Sequence, residues 1–131
     1  MIVDSSALIA VIREEPSAPA LLDHFAEADR LEVGAPTLLE AGIVLVARLG
    51  PAGRTLLVRF CDELGIATID FSGLHWPTAL DAFQLFGKGR HPAALNFGDC
   101  MTYAIAAHAK RPLLCTGDDF TQTDLEVLAV K

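Results

Sequence analysis

Four acidic positions, far apart in the chain, stand where an α/β fold would bring side chains together. Asp4 and Asp118 each follow a short apolar run directly, while Glu40 and Asp99 fall in the first turns of two predicted helices. In an open α/β sheet, ligands bind beyond the carboxyl ends of the strands. The positions therefore predict that these four carboxylates meet at one edge of a parallel sheet.

A divalent cation is the natural partner of such a group of carboxylates. Two bare carboxylates about 5 Å apart repel by roughly 3 kcal/mol at an effective dielectric near 20. The group must therefore bind a cation or stay partly protonated. Oxygen ligands with retained waters suit Mg²⁺ or Mn²⁺, and such ions activate a water molecule and stabilise charge on a phosphodiester during hydrolysis. This pattern indicates phosphoryl-transfer chemistry.

Each acidic residue also has a purely structural explanation. Asp4 could only cap the helix that follows it, and Glu40 and Asp99 could only complement helix dipoles. Asp118 and its neighbour Asp119 stand in a Gly-Asp-Asp sequence that is also ordinary turn chemistry. These explanations stay open for each residue alone, but the joint placement of all four favours a site.

Apolar runs and helical periodicity alternate along the chain and indicate an α/β domain. Strands are predicted at residues 1–4, 31–35, 66–69 and 112–116, with a final edge strand at 125–130. A first helix begins at Ser5 or Ser6 and ends in the segment 13–16, and further helices are predicted at 17–28, 37–48, 52–64, 72–87 and 98–109. Alternation of this kind predicts a mostly parallel sheet with helices on both faces. At 131 residues, the chain is predicted to form a single domain spanning 1–131.

Composition and charge restrict the class of function further. The chain carries 17 acidic and 10 basic residues, a formal net charge of -7, which argues against broad, non-specific binding of nucleic acid. A nucleic-acid enzyme stays possible, because metal-binding carboxylates contribute to that count. The cysteines Cys61, Cys100 and Cys115 show no zinc spacing and are interpreted as buried reduced thiols. With no signal peptide and no apolar run long enough to cross a bilayer, we expect a cytoplasmic protein without a membrane partner.

The sequence resembles the PIN-domain ribonucleases, and among them the VapC toxins of type II toxin–antitoxin systems. The resemblance is collinear and extends over essentially the whole chain. Its most specific part is the Asn-Phe-Gly-Asp-Cys stretch that contains Asp99. The matching segments are Ile2–Ala7, Leu39-Glu40, Gly87–His91, Leu95–Cys100 and Gly117–Phe120.

The resemblance implies a PIN-like fold and an Mg²⁺-dependent endoribonuclease that cleaves single-stranded or loop RNA and leaves 5′-phosphate and 3′-hydroxyl ends. It also implies a homodimer and inhibition by a cognate VapB-type antitoxin. By this resemblance Asp4 and Asp99 would be direct metal ligands, and Glu40 would join them partly through water. Ser6 matches a hydroxyl that supports the first aspartate, and Asn96 would order the loop before Asp99.

The fourth acid is either Asp118 or Asp119. The family often places this acid in a Thr-x-Asp turn, which fits Thr116-Gly117-Asp118, whereas the relatives most similar in this region have an aspartate directly before the phenylalanine, which fits Asp119. Because Asp118 is nearer the strand end, we expect it to be the ligand. Asp119 is then expected to cap backbone amides near Thr121.

Several other residues have two interpretations each. Lys88, Arg90 and His91 precede Asp99 and could bind phosphates or the antitoxin, or could form a solvated basic loop. Trp76 is interpreted as a packed aromatic at a helix start rather than as a base-stacking platform.

Two alternative functions differ in class from a ribonuclease. A haloacid-dehalogenase-like phosphatase would need an aspartate two residues after Asp4, where this chain has Ser6. A non-catalytic module could use the acids for a structural ion only. A phosphatase substrate tests the first alternative, and RNA cleavage with and without a chelator tests the second.

Overall fold

Five parallel strands form a single sheet at the centre of the computed structural model, which describes all residues 1–131. The strands are β1 (Ile2–Val3), β2 (Glu32–Gly34), β3 (Ala67–Ile69), β4 (Leu113–Thr116) and β5 (Val127–Val130). Their order in the sheet is β3-β2-β1-β4-β5, and every neighbouring pair is parallel. The predicted parallel sheet is confirmed, and the predicted strand at 125–130 is an edge strand that begins two residues later than expected.

Six α-helices connect or follow the strands. They are α1 (Ser5–Ile12), α2 (Ala18–Glu27), α3 (Ala35–Leu49), α4 (Pro51–Leu64), α5 (His75–Phe86) and α6 (Phe97–Ala109), and a short 3₁₀ turn spans Phe120–Gln122. The helix predicted from residue 72 begins only at His75. There the His75 Nδ1 accepts a hydrogen bond from the Ser72 amide at 3.0 Å, so Ser72 belongs to the turn that leads into the helix.

The helices cover both faces of the sheet. Strand side chains alternate between the faces, so neighbouring residues such as Ile2 and Val3 belong to different apolar clusters. The first cluster joins Val3 to apolar side chains of α1, α2, α3 and α4. The second joins Ile2 to side chains of α5 and α6. The predicted three-layer arrangement is therefore confirmed.

The topology selects one place for a site. Strand β1 lies between β2 and β4, so the chain leaves β1 towards one side of the sheet and later returns on the other side. A crevice forms where the strand order reverses in this way, beyond the carboxyl ends of the strands. Asp4 directly follows β1, and Asp118 and Asp119 follow β4 after Gly117.

The opposite end of the sheet holds a charged group that the sequence did not single out. The Glu32 side chain, at the start of β2, is buried and forms ion pairs with Arg30, at 3.2 Å, and with Arg111. A buried carboxylate requires such partners, because burial of an unpaired charge is costly. Arg30 and Arg111 therefore neutralise Glu32 at the end of the sheet opposite to the predicted acidic site.

The remaining expectations about the core hold in part. Cys100 and Cys115 are buried free thiols as predicted, whereas Cys61 is only half-buried. Trp76 is 59% exposed, so its interpretation as a packed aromatic is wrong. Trp76 lies in the first turn of α5 at the wall of an open apolar space, whereas Ala79 and Ala82, further along the helix, are buried. None of the helices has the length and apolar character needed to span a bilayer.

Candidate active site

Asp4 is buried directly beyond the end of β1 and is held by Ser6. The carboxylate is 5% exposed. Its Oδ2 accepts hydrogen bonds from the Ser6 amide at 3.1 Å and the Ser6 hydroxyl at 2.6 Å, so Asp4 does cap α1. Both of these bonds fall on Oδ2, which leaves Oδ1 with capacity for a further partner. The cap and a ligand role are therefore compatible.

The Ser6 hydroxyl connects two strands. While it donates to Asp4, its oxygen accepts a hydrogen bond from the Thr116 amide at 3.1 Å. Thr116 is the last residue of β4, so one side chain fixes the first carboxylate relative to the neighbouring strand. The resemblance implied this support of the first aspartate, and the structure adds the contact with Thr116.

The carboxylate of Glu40 reaches the same place from α3. Its Oε1 accepts a hydrogen bond from the Ser5 hydroxyl at 2.7 Å. Because α3 begins at Ala35, Glu40 lies in the second turn of the helix and not in the first as expected. The helix dipole acts mainly within the first turn, so it does not explain Glu40. The same carboxylate lies against Gly98, where a Cβ atom would overlap it.

Asp99 is fixed at the start of α6 by a reciprocal pair of hydrogen bonds with Asn96. The backbone amide of Asn96 donates to Asp99 Oδ2 at 3.0 Å, and the backbone amide of Asp99 donates to the side-chain Oδ1 of Asn96 at 2.9 Å. This is a capping box, which orders the start of the helix. As at Asp4, one carboxylate oxygen is used in the local structure and the other has capacity for a ligand.

The electrostatic environment of the site disfavours ionised carboxylates. The pKa of Asp99 is raised to about 6, first by burial and then by the charges of Asp4, Asp119 and Glu40, against the opposing hydrogen bond from Asn96. Burial likewise raises the pKa of Asp4, with the Ser6 hydrogen bonds acting against the shift and the charge of Glu40 adding to it. The acids therefore act on each other, as groups that share one site do.

The two neighbouring aspartates after β4 are not equivalent in this environment. The charge of Asp119 acts on the pKa of Asp99, whereas Asp118 is not among the groups that do so. The pKa of the Cys115 thiol is likewise raised to about 12, mainly by burial and then by the charges of Asp4, Asp119, Asp118 and Asp99, in that order. Both observations favour Asp119 as the fourth acid, although the sequence favoured Asp118.

The expected capping role of Asp119 is wrong. Its side chain makes no capping hydrogen bond at the short 3₁₀ turn that follows. The loop is instead held by the Thr121 hydroxyl, which donates to the Asp118 carbonyl oxygen at 2.6 Å. The Asp119 carboxylate, which is exposed, has no structural bond to give up if it serves a ligand.

The donor chemistry of this acidic cluster (Asp4, Glu40, Asp99 and Asp118 or Asp119) suits a hydrated cation. None of the cluster's carboxylates is in an ion pair; the ion pairs of the chain use Glu15 and Glu32 as acids. No three His, Cys, Asp or Glu side chains are placed to enclose an ion by themselves. Mg²⁺ keeps several of its waters and binds through one or two carboxylates, so the cluster fits that ion better than one that needs a closed cage.

The basic loop before Asp99 makes no ion pair with the cluster. The Arg90 guanidinium lies over the Phe83 ring, 5.4 Å from its centroid. His91 Nδ1 accepts a hydrogen bond from the Ala93 amide at 3.0 Å, and its ring packs edge-on against Phe86. The Lys88 side chain is exposed. Of these three residues, His91 therefore has a structural role, while Lys88 and Arg90 are available to a ligand.

Sequence reasoning missed three features of the site. Ser5 holds Glu40, Gly98 leaves space for it, and an open groove of about 1010 Å³ extends from Glu40 and Gly98 along α3 and α6. A signal for Gly98 was present, because glycine is disfavoured inside a helix and needs a reason to be there. The groove depends on tertiary packing and has no signal in the sequence.

Comparisons with known proteins agree on one family. Residues 1–125 match the sequence pattern of the PIN domain family. The chain is 47% identical over 131 residues to Ribonuclease VapC36 of Mycobacterium tuberculosis, covering 99% of this chain and 94% of that protein. Among solved structures, Mycobacterium tuberculosis VapC20, described as a sarcin–ricin loop cleaving toxin, matches with a TM-score of 0.78 at 12% identity over 95% of both chains. VapBC2 from Rickettsia felis, bound to a promoter DNA fragment, matches with a TM-score of 0.74 at 14% identity, covering 99% of this chain and 98% of that one. At these identities, the structural matches show the fold.

Proposed function

The chain belongs to the PIN-domain family, in its VapC ribonuclease branch, and we propose that it hydrolyses single-stranded or loop RNA at the acidic cluster with a divalent cation. The proposal rests mainly on the electrostatic repulsion among these carboxylates, which adds to burial in raising the pKa values of Asp4 and Asp99. The charges of Asp4, Asp119 and Glu40 add to the burial that raises the pKa of Asp99 to about 6, and no basic side chain is paired with any of them.

Each carboxylate has a definite task in this proposal. Asp4 and Asp99 would hold Mg²⁺, or Mn²⁺, through the oxygen that the local hydrogen bonds leave available. Glu40, oriented by Ser5, and Asp119 or Asp118 would complete the acidic group around the ion. When bound, the ion would make a water molecule more nucleophilic and neutralise charge on the phosphodiester. In the hydrolysis, the water oxygen forms the new bond to phosphorus, the bond to the 3′-oxygen breaks and that oxygen takes up a proton released by the water, so 5′-phosphate and 3′-hydroxyl ends result.

Two variants and one control test this assignment. Asp4→Asn and Asp99→Asn keep the size of the side chain and, at Asp4, a good helix cap, but remove the charge that would hold the ion. We expect both to lose cleavage of single-stranded RNA, and the wild type to lose it in EDTA and regain it with excess Mg²⁺. Asp62→Asn, an exposed acid on α4 outside the cluster, should keep wild-type activity. Full activity of Asp4→Asn or Asp99→Asn would remove that residue from the metal site.

The alternative functions have little support in the geometry. Ser6, at the position where the phosphatase alternative needs an acid, is committed to Asp4 and the Thr116 amide. A p-nitrophenyl phosphate assay tests that alternative, and hydrolysis of this compound without RNA cleavage would favour it. Metal binding without any cleavage would favour a non-catalytic module.

The proposed partners are a VapB-type antitoxin and a second copy of the chain. Helix α3 exposes Leu39 and Ile43, and an open crevice of about 780 Å³ lies between α3 and α4. Apolar surface of this kind is typical of interfaces and accepts the apolar face of a helical segment. Toxin–antitoxin complexes from Rickettsia felis and Klebsiella pneumoniae share this fold. A monomer at micromolar concentration in light scattering would contradict the homodimer.

A further inference from the structure

A second, fully apolar cavity of about 370 Å³ lies beside the groove that contains Glu40. Phe71, Phe97 and Met101 line both spaces, so the cavity and the groove are direct neighbours. The other walls of the cavity come from α5 and include Trp76, Leu80 and Phe83. We call this cavity the aromatic pocket and define it by Phe71, Trp76, Leu80, Phe83, Phe97 and Met101. It lies next to the groove that contains Glu40 of the acidic cluster.

Phe97 is the key residue of this pocket, because it is both very exposed and firmly placed. The side chain is 81% exposed, the highest value among the large apolar side chains. Its backbone begins α6 and lies inside the capping box that joins Asn96 to Asp99. The ring is therefore attached two residues from a proposed metal ligand, on backbone that cannot move without disturbing that ligand.

A cation lies against one wall of the pocket. Arg90 is exposed and its guanidinium lies 5.4 Å from the centroid of the Phe83 ring, which lines the pocket. The apolar cavity thus adjoins a groove that contains the Glu40 carboxylate, and a guanidinium lies over one of its aromatic walls. A nucleotide has a matching order of groups, since a phosphate can be held at a metal site, a planar base can occupy the apolar space and a neighbouring phosphate can meet the arginine.

We infer that the aromatic pocket binds the nucleobase next to the scissile phosphate by stacking it on Phe97, an inference that rests on the proposed ribonuclease function. Single-stranded RNA is commonly recognised by bases stacked on aromatic side chains. The chain has a net charge of -7, so attraction of the RNA backbone supplies little affinity. Stacking supplies affinity without positive charge, and Arg90 then binds the adjacent phosphate.

The occupant favoured here is a base and not an apolar peptide or a second copy of the chain. The α3–α4 crevice shares Leu39 and Ile43 with the groove, but none of the cluster's carboxylates lines it, and it offers an apolar surface for a helical segment. The aromatic pocket instead adjoins the part of the groove that contains Gly98, and an arginine lies over its Phe83 wall. The experiment below also detects whether an antitoxin segment or a second copy of the chain occupies the pocket instead.

The test compares Phe97→Ala, Phe97→Leu and Phe97→Tyr on two RNAs. Once the cleavage site of the wild type is mapped, the second RNA carries an abasic residue in place of the nucleotide on either side of that site. We expect the wild type to cleave the intact RNA with a kcat/KM tenfold to hundredfold above the abasic one, on the order of one stacked base. Phe97→Ala and Phe97→Leu should fall to the abasic level on the intact RNA and match the wild type on the abasic RNA, while Phe97→Tyr should keep the wild-type preference.

Leu85→Ala removes an exposed apolar side chain of α5 outside both spaces and serves as the matched control. If Phe97→Ala slows cleavage of both RNAs equally, or of neither, the base-stacking inference is wrong. Loss of the dimer in light scattering, or of antitoxin binding, with unchanged RNA preference would assign the pocket to a protein partner and also overturn it. Absence of metal-dependent cleavage of either RNA by the wild type would overturn the proposed function itself and, with it, this inference.

Discussion

The carboxylate of Glu40 lies against the backbone of Gly98, so closely that a Cβ atom at residue 98 would overlap its oxygens. The contact brings α3 and α6 together at the end of the sheet and places Glu40 beside the residue that precedes Asp99. Glycine at this position is therefore a requirement of the site and not of the backbone, since only Gly50, Gly65, Gly89 and Gly117 have positive φ angles.

The first prediction concerns Gly98→Ala. The new methyl group must displace the Glu40 carboxylate from its hydrogen bond with Ser5, so we expect metal-dependent cleavage to fall at least tenfold, within the range seen when groups that orient ligands are lost. The fold should persist, because alanine is the better helix former by about 1 kcal/mol and offsets part of the clash. RNA cleavage under Mg²⁺ titration, with thermal unfolding of the same samples, measures both effects.

Gly42→Ala is the matched control for that variant. It lies on α3, and its Cβ would meet Leu57 Cδ2 at 3.5 Å, an ordinary van der Waals contact. We expect unchanged cleavage and equal or higher stability. Equal activity of Gly98→Ala and the wild type would show that the position of Glu40 is not important for the reaction.

The second prediction decides between the two aspartates after β4. Since Asp119 is among the charges that raise the pKa of Asp99 and Asp118 is not, Asp119→Asn should reduce metal-dependent cleavage strongly, whereas Asp118→Asn should stay within a few-fold of the wild type. Asp119→Asn should also lower the pKa of Asp99, which NMR titration of the metal-free protein can measure. The reverse order of the two cleavage rates would restore the assignment that the sequence favoured.

The third prediction concerns pH. In the folded, metal-free protein, the pKa of Asp99 is raised from 3.8 to about 6, so the folded state binds this proton more tightly than the unfolded state. Stability therefore falls as the pH rises from about 4 to about 6 and then levels off. Mg²⁺ competes with the same proton, so its affinity should weaken as the pH falls through about 6. Denaturant unfolding in EDTA from pH 4 to pH 7 checks the first effect, and a flatter profile is expected for Asp99→Asn.

The fourth prediction concerns Ser6→Ala. The change removes the hydroxyl that donates to Asp4 and accepts from the Thr116 amide, leaving that amide without its partner. We expect a loss of about 1–3 kcal/mol of stability, the usual cost of an unsatisfied polar group, and a tenfold or larger loss of metal affinity. Ser6→Thr, which keeps a hydroxyl, should retain more of both. Wild-type metal affinity in Ser6→Ala would show that Asp4 needs no such support.

The sequence was sufficient for the features that depend on strand ends and periodicity. Asp4 had to lie at the carboxyl edge of the sheet because it follows a buried strand directly, and the parallel sheet followed from the alternation of strands and helices. The reciprocal bonding of Asn96 and Asp99 has a local signature, an N-cap residue three positions before an acid. Each of these is determined within a few residues of chain.

The features that the sequence did not predict depend on how distant elements pack. The contact of Glu40 with Gly98 follows from the approach of α3 to α6, and the pairing of the buried Glu32 follows from the position of Arg111, two residues before β4. The exposure of Trp76 depends on which side of α5 meets the sheet. The choice between Asp118 and Asp119 depends on the direction of a turn after Gly117, whose φ is 81°.

The hydrogen bond between Ser6 and Thr116 joins residues 110 positions apart in the chain. A ribosome therefore makes Asp4, Glu40 and Asp99 well before it makes the strand that braces the first of them. Until then β1, only two residues long, lacks its neighbour β4. Contacts of such separation form late, because the closure of long loops precedes them. A nascent chain that ends before β4 therefore lacks the hydrogen bond that braces Asp4, and the site is complete only when translation of the fold is nearly finished.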